Sequence, residues 1–171
     1  MNKQLRLWCT LLLLAAFGTM WAGEETITFS QKDYNNGQSV PTVAGVNFKL
    51  TFDKGTGSTT PAYYTDGKAI RLYAGGTLKV SSGKTISKIV FEFGSGESSN
   101  AITANVGSYS NGTWTGCANE VVFTVAGTSG QRRFASVTVT YYDYNGDVNN
   151  DGKVDVTDVT TLVNIILGNQ Q

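Results

Sequence analysis

Residues that could do chemistry are concentrated near the C-terminus. Five oxygen-bearing side chains stand at the first, third, fifth, ninth and twelfth places of a twelve-residue stretch: Asp147, Asn149, Asp151, Asp155 and Asp158. Lys153 stands at the seventh place, where its backbone carbonyl would add a sixth oxygen. Calcium is a hard ion that takes six to eight oxygen ligands at about 2.3–2.6 Å, and a loop of this length supplies them in sequence. The spacing therefore predicts a calcium-binding loop over residues 147–158.

The stretch matches the EF-hand loop pattern at every required place except the last. Gly152 stands at the sixth place, where the chain must turn sharply, and Asp158 replaces the usual glutamate at the twelfth. A shorter carboxylate can still chelate if the loop closes further around the ion. An acidic, solvated turn is the alternative, but it would not require these residue types at these fixed spacings.

A helix is predicted directly after the loop, over residues 157–167. Val159, Leu162, Val163 and Ile166 recur at steps of three and four, which makes one apolar stripe. Gly168 stands where a helix commonly ends. A single short helix cannot bury such a stripe by itself, so the stripe either packs on the preceding domain or meets a partner.

Residues 146–168 resemble a type I dockerin repeat, because a calcium loop and an exiting helix follow a strand with no entering helix. The resemblance implies that Asp147, Asn149, Asp151, the Lys153 carbonyl, Asp155 and Asp158 bind calcium. It also implies that Val156, Thr157, Val163 and Asn164 contact a cohesin module. Dockerins attach polysaccharide-degrading proteins to a scaffold or cell surface. The family normally has two such repeats in tandem whereas one is present here, and Val156 replaces the usual hydroxyl residue.

The N-terminus has the parts of a secretory signal peptide. Lys3 and Arg6 precede an apolar run over residues 7–17, and no acidic residue occurs before Glu24. We predict a signal peptide over residues 1–22, cleaved after Ala22, and a secreted or cell-surface protein. A membrane anchor is the alternative, but the run is too short to span the bilayer, so no membrane span is expected after cleavage. Cys117 would then remain as the single cysteine, which excludes an internal disulfide.

Composition excludes several classes of function. The chain contains 13 Lys and Arg and 13 Asp and Glu, and removing the leader leaves a net charge of about −2, which indicates no nucleic-acid partner. No histidine occurs. Catalytic triads that use histidine and histidine zinc sites are therefore excluded.

Residues 23–142 are predicted to form a β domain, and residues 143–171 the calcium-binding repeat. Short apolar or β-branched runs predict strands over residues 26–30, 46–53, 69–73, 77–81, 86–93, 101–106, 120–125 and 135–142. Within 86–93, Ile89, Phe91 and Phe93 form the stronger apolar row. Ile86 and Glu92 have the opposite parity, so Glu92 is expected on the solvent face. In the last strand, Val137, Val139 and Tyr141 face one way, and Ser136, Thr138 and Thr140 face the other. Glycine-led breaks at residues 74–76 and 82–84 have the length of hairpin turns. Regular spacing without intervening helices predicts a mostly β fold, a jelly-roll-like antiparallel β-sandwich.

Carbohydrate binding by the β domain would need exposed aromatic rings beside polar groups. Aromatic residues in predicted loops are the candidates: Tyr63, Tyr64, Tyr109 and Trp114. Each could instead cover a sheet edge. Residues 112–114, 121–133 and 136–142 loosely resemble a β-sandwich module of secreted bacterial polysaccharide-use proteins, which implies an accessory or binding role. Arg132 and Arg133 could clamp an anionic group, but such a pair is more often a solvated strand start.

A glycoside hydrolase is the enzymatic alternative. It usually needs two carboxylates about 5–9.5 Å apart, one with a raised pKa. The acidic residues of the β domain show no paired motif, so no catalytic residue is assigned. The leading hypothesis is a secreted, non-catalytic accessory protein of polysaccharide degradation, with calcium in its C-terminal repeat and a cohesin or polysaccharide partner. A structural module with a calcium-pinned C-terminus is the third hypothesis.

Overall fold

The computed structural model describes residues 22–96, 98–142, 146, 148–149 and 153–168. Residues 22–142 form one compact unit, and the described residues after Tyr142 belong to a second. Residues 1–21 of the expected signal peptide lie outside the described residues, as do the expected ligands Asp147 and Asp151 and the turn residue Gly152. In the described part of the chain, no helix is long and apolar enough to cross a membrane.

The first unit is built on an 11-stranded antiparallel sheet. Its strands are β1 (Ala22–Thr28), β2 (Gln38–Ser39), β3 (Thr42–Ala44), β4 (Phe48–Asp53), β5 (Ala62–Tyr64), β6 (Ala69–Tyr73), β7 (Thr77–Phe93), β8 (Ile102–Ala104), β9 (Ser108–Ser110), β10 (Thr113–Val125) and β11 (Gln131–Tyr142). A short 3-10 helix, Phe29–Gln31, follows β1. The mostly antiparallel β class expected from the sequence is confirmed and is consistent with a β-sandwich, whereas the jelly-roll topology stays a prediction.

Two long strands, β7 and β10, organise the sheet. The first half of β7 pairs with β4 and with the end of β10, and its second half pairs with β11 and with the start of β10. β11 carries β6 and β1 as further neighbours. The β7–β10 ladder thus has different neighbours at its two ends, so distant segments of the chain are held around one core.

The expected hairpin at residues 82–84 is wrong, because β7 runs through it from Thr77 to Phe93. Ladder pairs extend the strand up to the glycine: Ser81 pairs with Glu120 of β10, and Ser82 pairs with Phe48 of β4. The Ser82 hydroxyl donates to the Asn47 carbonyl at 2.8 Å. These partners come from other parts of the chain, so the local turn signal of Gly83 is overridden.

The expected orientation of Ile86 is also wrong. Ile86 is fully buried together with Ile89, although the two differ in parity. The pairing with β11 shifts between Lys88, opposite Thr140, and Ile86, opposite Tyr141. Ser87 is therefore the extra residue of a β-bulge, which turns Ile86 back toward the core.

Aromatic side chains form the centre of the core. Phe91 packs edge-on against Phe123 at 4.7 Å between ring centroids and against Phe134 at 5.0 Å. Phe52 packs against Phe29 and Phe134. Edge-to-face pairs of this kind bury large apolar area in a favourable geometry. The alternating row expected in the last strand is confirmed, because Val137, Val139 and Tyr141 are buried.

In the second unit, the expected helix is confirmed as α1, Val156–Leu167. Asp155 is its N-cap. Gly168 ends it in the left-handed conformation, with φ of 70°, and the Gly168 N–H donates to carbonyls of the last turn. A glycine adopts this conformation without steric cost, which explains why the helix ends there.

Candidate functional site

Asp158 lies at the closure of the predicted calcium loop. Its side chain is buried, with 3% of the residue exposed. Oδ1 accepts the backbone N–H of Val148 at 2.7 Å and that of Asn149 at 3.2 Å, and Oδ2 accepts the N–H of Asp155 at 2.9 Å. One carboxylate therefore joins two residues near the start of the loop to the residue directly before α1. The pKa of Asp158 is lowered, chiefly by the bond from Asp155.

Asp155 connects the loop to the helix. Its Oδ1 accepts the Thr157 N–H at 2.8 Å and the Thr157 hydroxyl at 2.6 Å. The Thr157 hydroxyl in turn accepts the side-chain amide of Asn149 at 3.0 Å. The bonds from Thr157 lower the pKa of Asp155. Both carboxyl groups thus favour the ionised form, which is the form that binds a metal ion.

The donors available in the described part of the loop fit a hard divalent cation. Asn149, Asp155 and Asp158 offer amide and carboxylate oxygens, and Lys153 offers its backbone carbonyl. This set contains no sulfur or imidazole, and oxygen-only sites suit calcium. Among the described residues no group of three or more acidic, cysteine or histidine side chains converges; Asp147 and Asp151 are not among those residues. The six-ligand assignment therefore stays a prediction.

The expected partner residues lie on exposed positions of α1. Val156 and Val163 are 74% and 45% exposed, and Thr157 and Asn164 are exposed as well. Residues seven apart stand two turns apart on one side of a helix, so these four side chains form two neighbouring rows. The helix also exposes Val159, Leu162 and Ile166 of the expected apolar stripe.

Two of the four aromatic candidates for sugar binding are not exposed. Trp114 lies in β10, is fully buried, and its Nε1–H donates to the Val106 carbonyl at 2.6 Å. Tyr63 lies in β5 rather than in a loop, and it is buried against Tyr34. The expectation of exposed loop rings is therefore wrong for both, because each ring fills the core where strands meet.

Tyr64 and Tyr109 are half-buried. Tyr109 lies in β9 and packs against Phe91 and Phe123, so much of its ring covers the core. Tyr64 follows Tyr63 in β5, and the Arg71 guanidinium stacks over its ring at 3.8 Å. The role of these two rings in sugar binding stays a prediction.

An arginine cluster was missed by the sequence reasoning. Asp66 binds the guanidinium of Arg71 at 2.5 Å and that of Arg133 at 3.4 Å, and the bond from Arg71 lowers the pKa of Asp66. The side chain of Arg133 is only 12% exposed. The Arg132 guanidinium lies over the Phe93 ring at 3.9 Å. The expected solvated strand start is therefore wrong, because partners distant in sequence cover both arginines.

Carboxylates considered for a glycosidase pair take part in local structure. Glu25 accepts the backbone N–H groups of Val46 and Asn47. Glu92 is exposed, as expected, and accepts the Ser136 hydroxyl at 2.9 Å. Glu120 pairs with Lys79 at 3.3 Å. A glycosidase acid needs a raised pKa, whereas the pKa of Asp66 is lowered. Glu97 lies outside the described residues.

Comparison of this chain with protein-family models, with curated proteins and with solved structures found no match.

Proposed function

We propose that the chain is a secreted accessory protein of polysaccharide degradation, whose C-terminal segment binds calcium and whose β unit binds carbohydrate. The observation that carries the proposal is the position of Asp158. Its carboxylate joins Val148 and Asn149, near the start of the loop, to Asp155 at the N-cap of α1. Calcium bound within residues 147–158 would stabilise this closure and the first turn of the helix together.

A cohesin module is the proposed partner of the calcium-loaded segment. The resemblance to a type I dockerin repeat supports this, as do the exposed rows formed by Val156 with Val163 and by Thr157 with Asn164. Val156 and Thr157, which begin these rows, belong to the loop over residues 147–158, so partner binding is expected to require calcium. We also propose that the strands of the β unit have a jelly-roll topology.

Calorimetric calcium titration tests the proposal. Asp151→Ala and Asp158→Asn each remove one expected charged ligand, and both should weaken calcium binding strongly relative to wild type. Asp33→Asn removes a carboxylate from an exposed position of the β unit and should leave the isotherm unchanged. Wild-type isotherms for both loop variants would contradict calcium binding at this loop.

Titration of the calcium-loaded chain with purified cohesin modules tests the partner. Binding that disappears with EGTA supports a docking role. If calcium raises the melting temperature but no cohesin or glycan binds, the segment is instead a calcium-pinned structural cap. Release of reducing sugars from a polysaccharide would replace the accessory role with a hydrolase.

A further inference from the structure

A polar cleft of about 450 Å³ opens on the β unit between three loops, at residues 56–59, 73–75 and 127–130. These loops precede β5, link β6 to β7 and link β10 to β11. Pockets for small molecules commonly measure about 300–1,000 Å³. The cleft is therefore large enough for a ligand, although its walls come from segments that are far apart in the sequence.

Residues that carry a hydroxyl, together with alanine and glycine, line the cleft. Six of the lining residues carry a hydroxyl: Thr56, Ser58, Thr59, Tyr73, Thr128 and Ser129. The others are alanine or glycine, and all of the lining residues belong to the described part of the chain. Among the described residues, no charged side chain lines the cleft. A hydroxyl both donates and accepts hydrogen bonds, so the wall suits a ligand that is itself rich in neutral hydroxyls.

Tyr73 is the single aromatic residue among the described residues that line the cleft. Its ring is half-buried, and its hydroxyl lies 3.5 Å from that of Tyr64. The Arg71 guanidinium stacks over the ring of Tyr64, the other tyrosine of this pair. These contacts hold Tyr73 in place at the wall. A fixed ring with an apolar face and a polar tip is the kind of surface on which a sugar ring packs its C–H groups.

The two loops beside Tyr73 are held by hydrogen bonds. The Asn100 side-chain amide donates to the carbonyls of Ala126 and Ser129, both at 2.8 Å. The Thr56 N–H donates to the Gly75 carbonyl at 3.1 Å, and the Ala74 N–H donates to the Gly130 carbonyl at 3.1 Å. A binding wall that is ordered before the ligand arrives loses less conformational entropy on binding.

We infer that this cleft binds a neutral oligosaccharide, with Tyr73 as the stacking ring and Thr128 and Ser129 as hydrogen-bonding groups. The inference rests on the carbohydrate part of the proposed function and gives it a site that the sequence did not indicate. An anionic ligand would need a cation in the wall, and an apolar ligand would leave the hydroxyls without partners. The lining favours neither of these.

Glycan binding by the full chain tests the site. Wild type, Tyr73→Ala and the double variant Thr128→Val with Ser129→Ala are titrated against neutral cello-, xylo-, manno- and laminari-hexaose and against acidic oligogalacturonate. We expect wild type to bind at least one neutral hexaose, and Tyr73→Ala to weaken that binding about tenfold or more. The double variant changes only exposed side chains and should also weaken it. Thr115→Val, an exposed hydroxyl loss on β10, is the matched control and should bind as wild type does.

Several outcomes would overturn the site. Neutral glycan binding that survives in both cleft variants would place the carbohydrate site elsewhere and leave the proposed function intact. Preference for oligogalacturonate would contradict the neutral ligand class. Absence of binding to every neutral hexaose would overturn the inference, while calcium titration of the same preparations decides the calcium part of the proposed function independently.

Discussion

Asp158 and Asp155 form a reciprocal cap at the start of α1. The Asp158 carboxylate accepts the backbone N–H of Asp155 at 2.9 Å, and the Asp155 carboxylate accepts the N–H of Thr157 within the first turn. N–H groups at the start of a helix have no partner within the helix. The two carboxylates satisfy some of them, so the residues expected to bind calcium also start the helix that carries the expected partner surface.

Substitutions of Asp155 should separate its capping role from its metal role. Asparagine is as good an N-cap as aspartate, whereas alanine costs a helix about 1 kcal/mol. With calcium removed by EGTA, Asp155→Asn should therefore keep helical chemical shifts over residues 156–167, and Asp155→Ala should reduce them; NMR measures both. In calorimetry both variants should bind calcium about tenfold more weakly, because each lacks a charged ligand.

Two results would contradict this account of Asp155. Loss of helix in the asparagine variant without calcium would show that the cap needs the charge. Wild-type calcium affinity in both variants would show that Asp155 is no ligand.

Neutralising Asp66 should lower the stability of the β unit at neutral pH. Arg71 and Arg133 lower the folded-state pKa of Asp66. The stabilising effect of the ionised Asp66 carboxylate is therefore complete above the ordinary carboxyl pKa of about 3.9. This effect is lost as the pH falls through the folded-state pKa. Urea unfolding should give Asp66→Asn a lower midpoint than wild type at pH 7. The difference should be modest because Asp66 is exposed and screened by solvent, and it should shrink by pH 3. The control Asp33→Asn should match wild type at both pH values.

Gly107 should not tolerate a side chain. It adopts a φ of +70°, and an added Cβ would lie 2.5 Å from Nε1 of the buried Trp114. We expect Gly107→Ala to lower the free energy of unfolding by about 2–4 kcal/mol, from left-handed strain and overpacking together. Urea unfolding followed by tryptophan fluorescence measures it.

Gly37→Ala is the matched control for Gly107→Ala. Gly37 has a φ of +76° but open space around its Cβ position, so its substitution should show the backbone strain alone, about 1–2 kcal/mol. Equal losses for the two variants would contradict the close contact with Trp114.

Glu25 should stabilise the turn between β3 and β4. Its carboxylate accepts the N–H of Val46 at 2.6 Å and that of Asn47 at 2.8 Å. Glu25→Ala leaves these groups without their acceptor, and we expect a loss of about 1–3 kcal/mol in urea unfolding. Glu24→Ala, at the exposed neighbouring position, should change stability by less than about 0.5 kcal/mol. Equal effects would argue against a specific role of Glu25.

Features that depend on neighbouring residues were predictable from the sequence. The helix over residues 157–167 was expected from the recurrence of Val159, Leu162 and Ile166 and from Gly168, and α1 spans Val156–Leu167. The row of Val137, Val139 and Tyr141 was expected from strict alternation, and all three are buried. In both cases the side-chain period of the local backbone determines the pattern.

Features that depend on distant residues were not predictable in this way. The sequence around Gly83 predicted a turn, but pairing with β4 and β10 keeps β7 extended. Trp114 was predicted to be an exposed aromatic residue in a loop, but it fills the core beside Gly107 and Gly116.

By itself the sequence determined the strand-rich class, the helix that ends at Gly168 and the order of oxygen donors along residues 147–158, because each is set by period or spacing within a few residues. The tertiary structure alone decided that Asp66 holds Arg71 and Arg133, and that Tyr73 meets residues 56–59 and 127–130 in one cleft. Strand pairing sets those contacts, and pairing is selected by the burial of the whole core rather than by local preference.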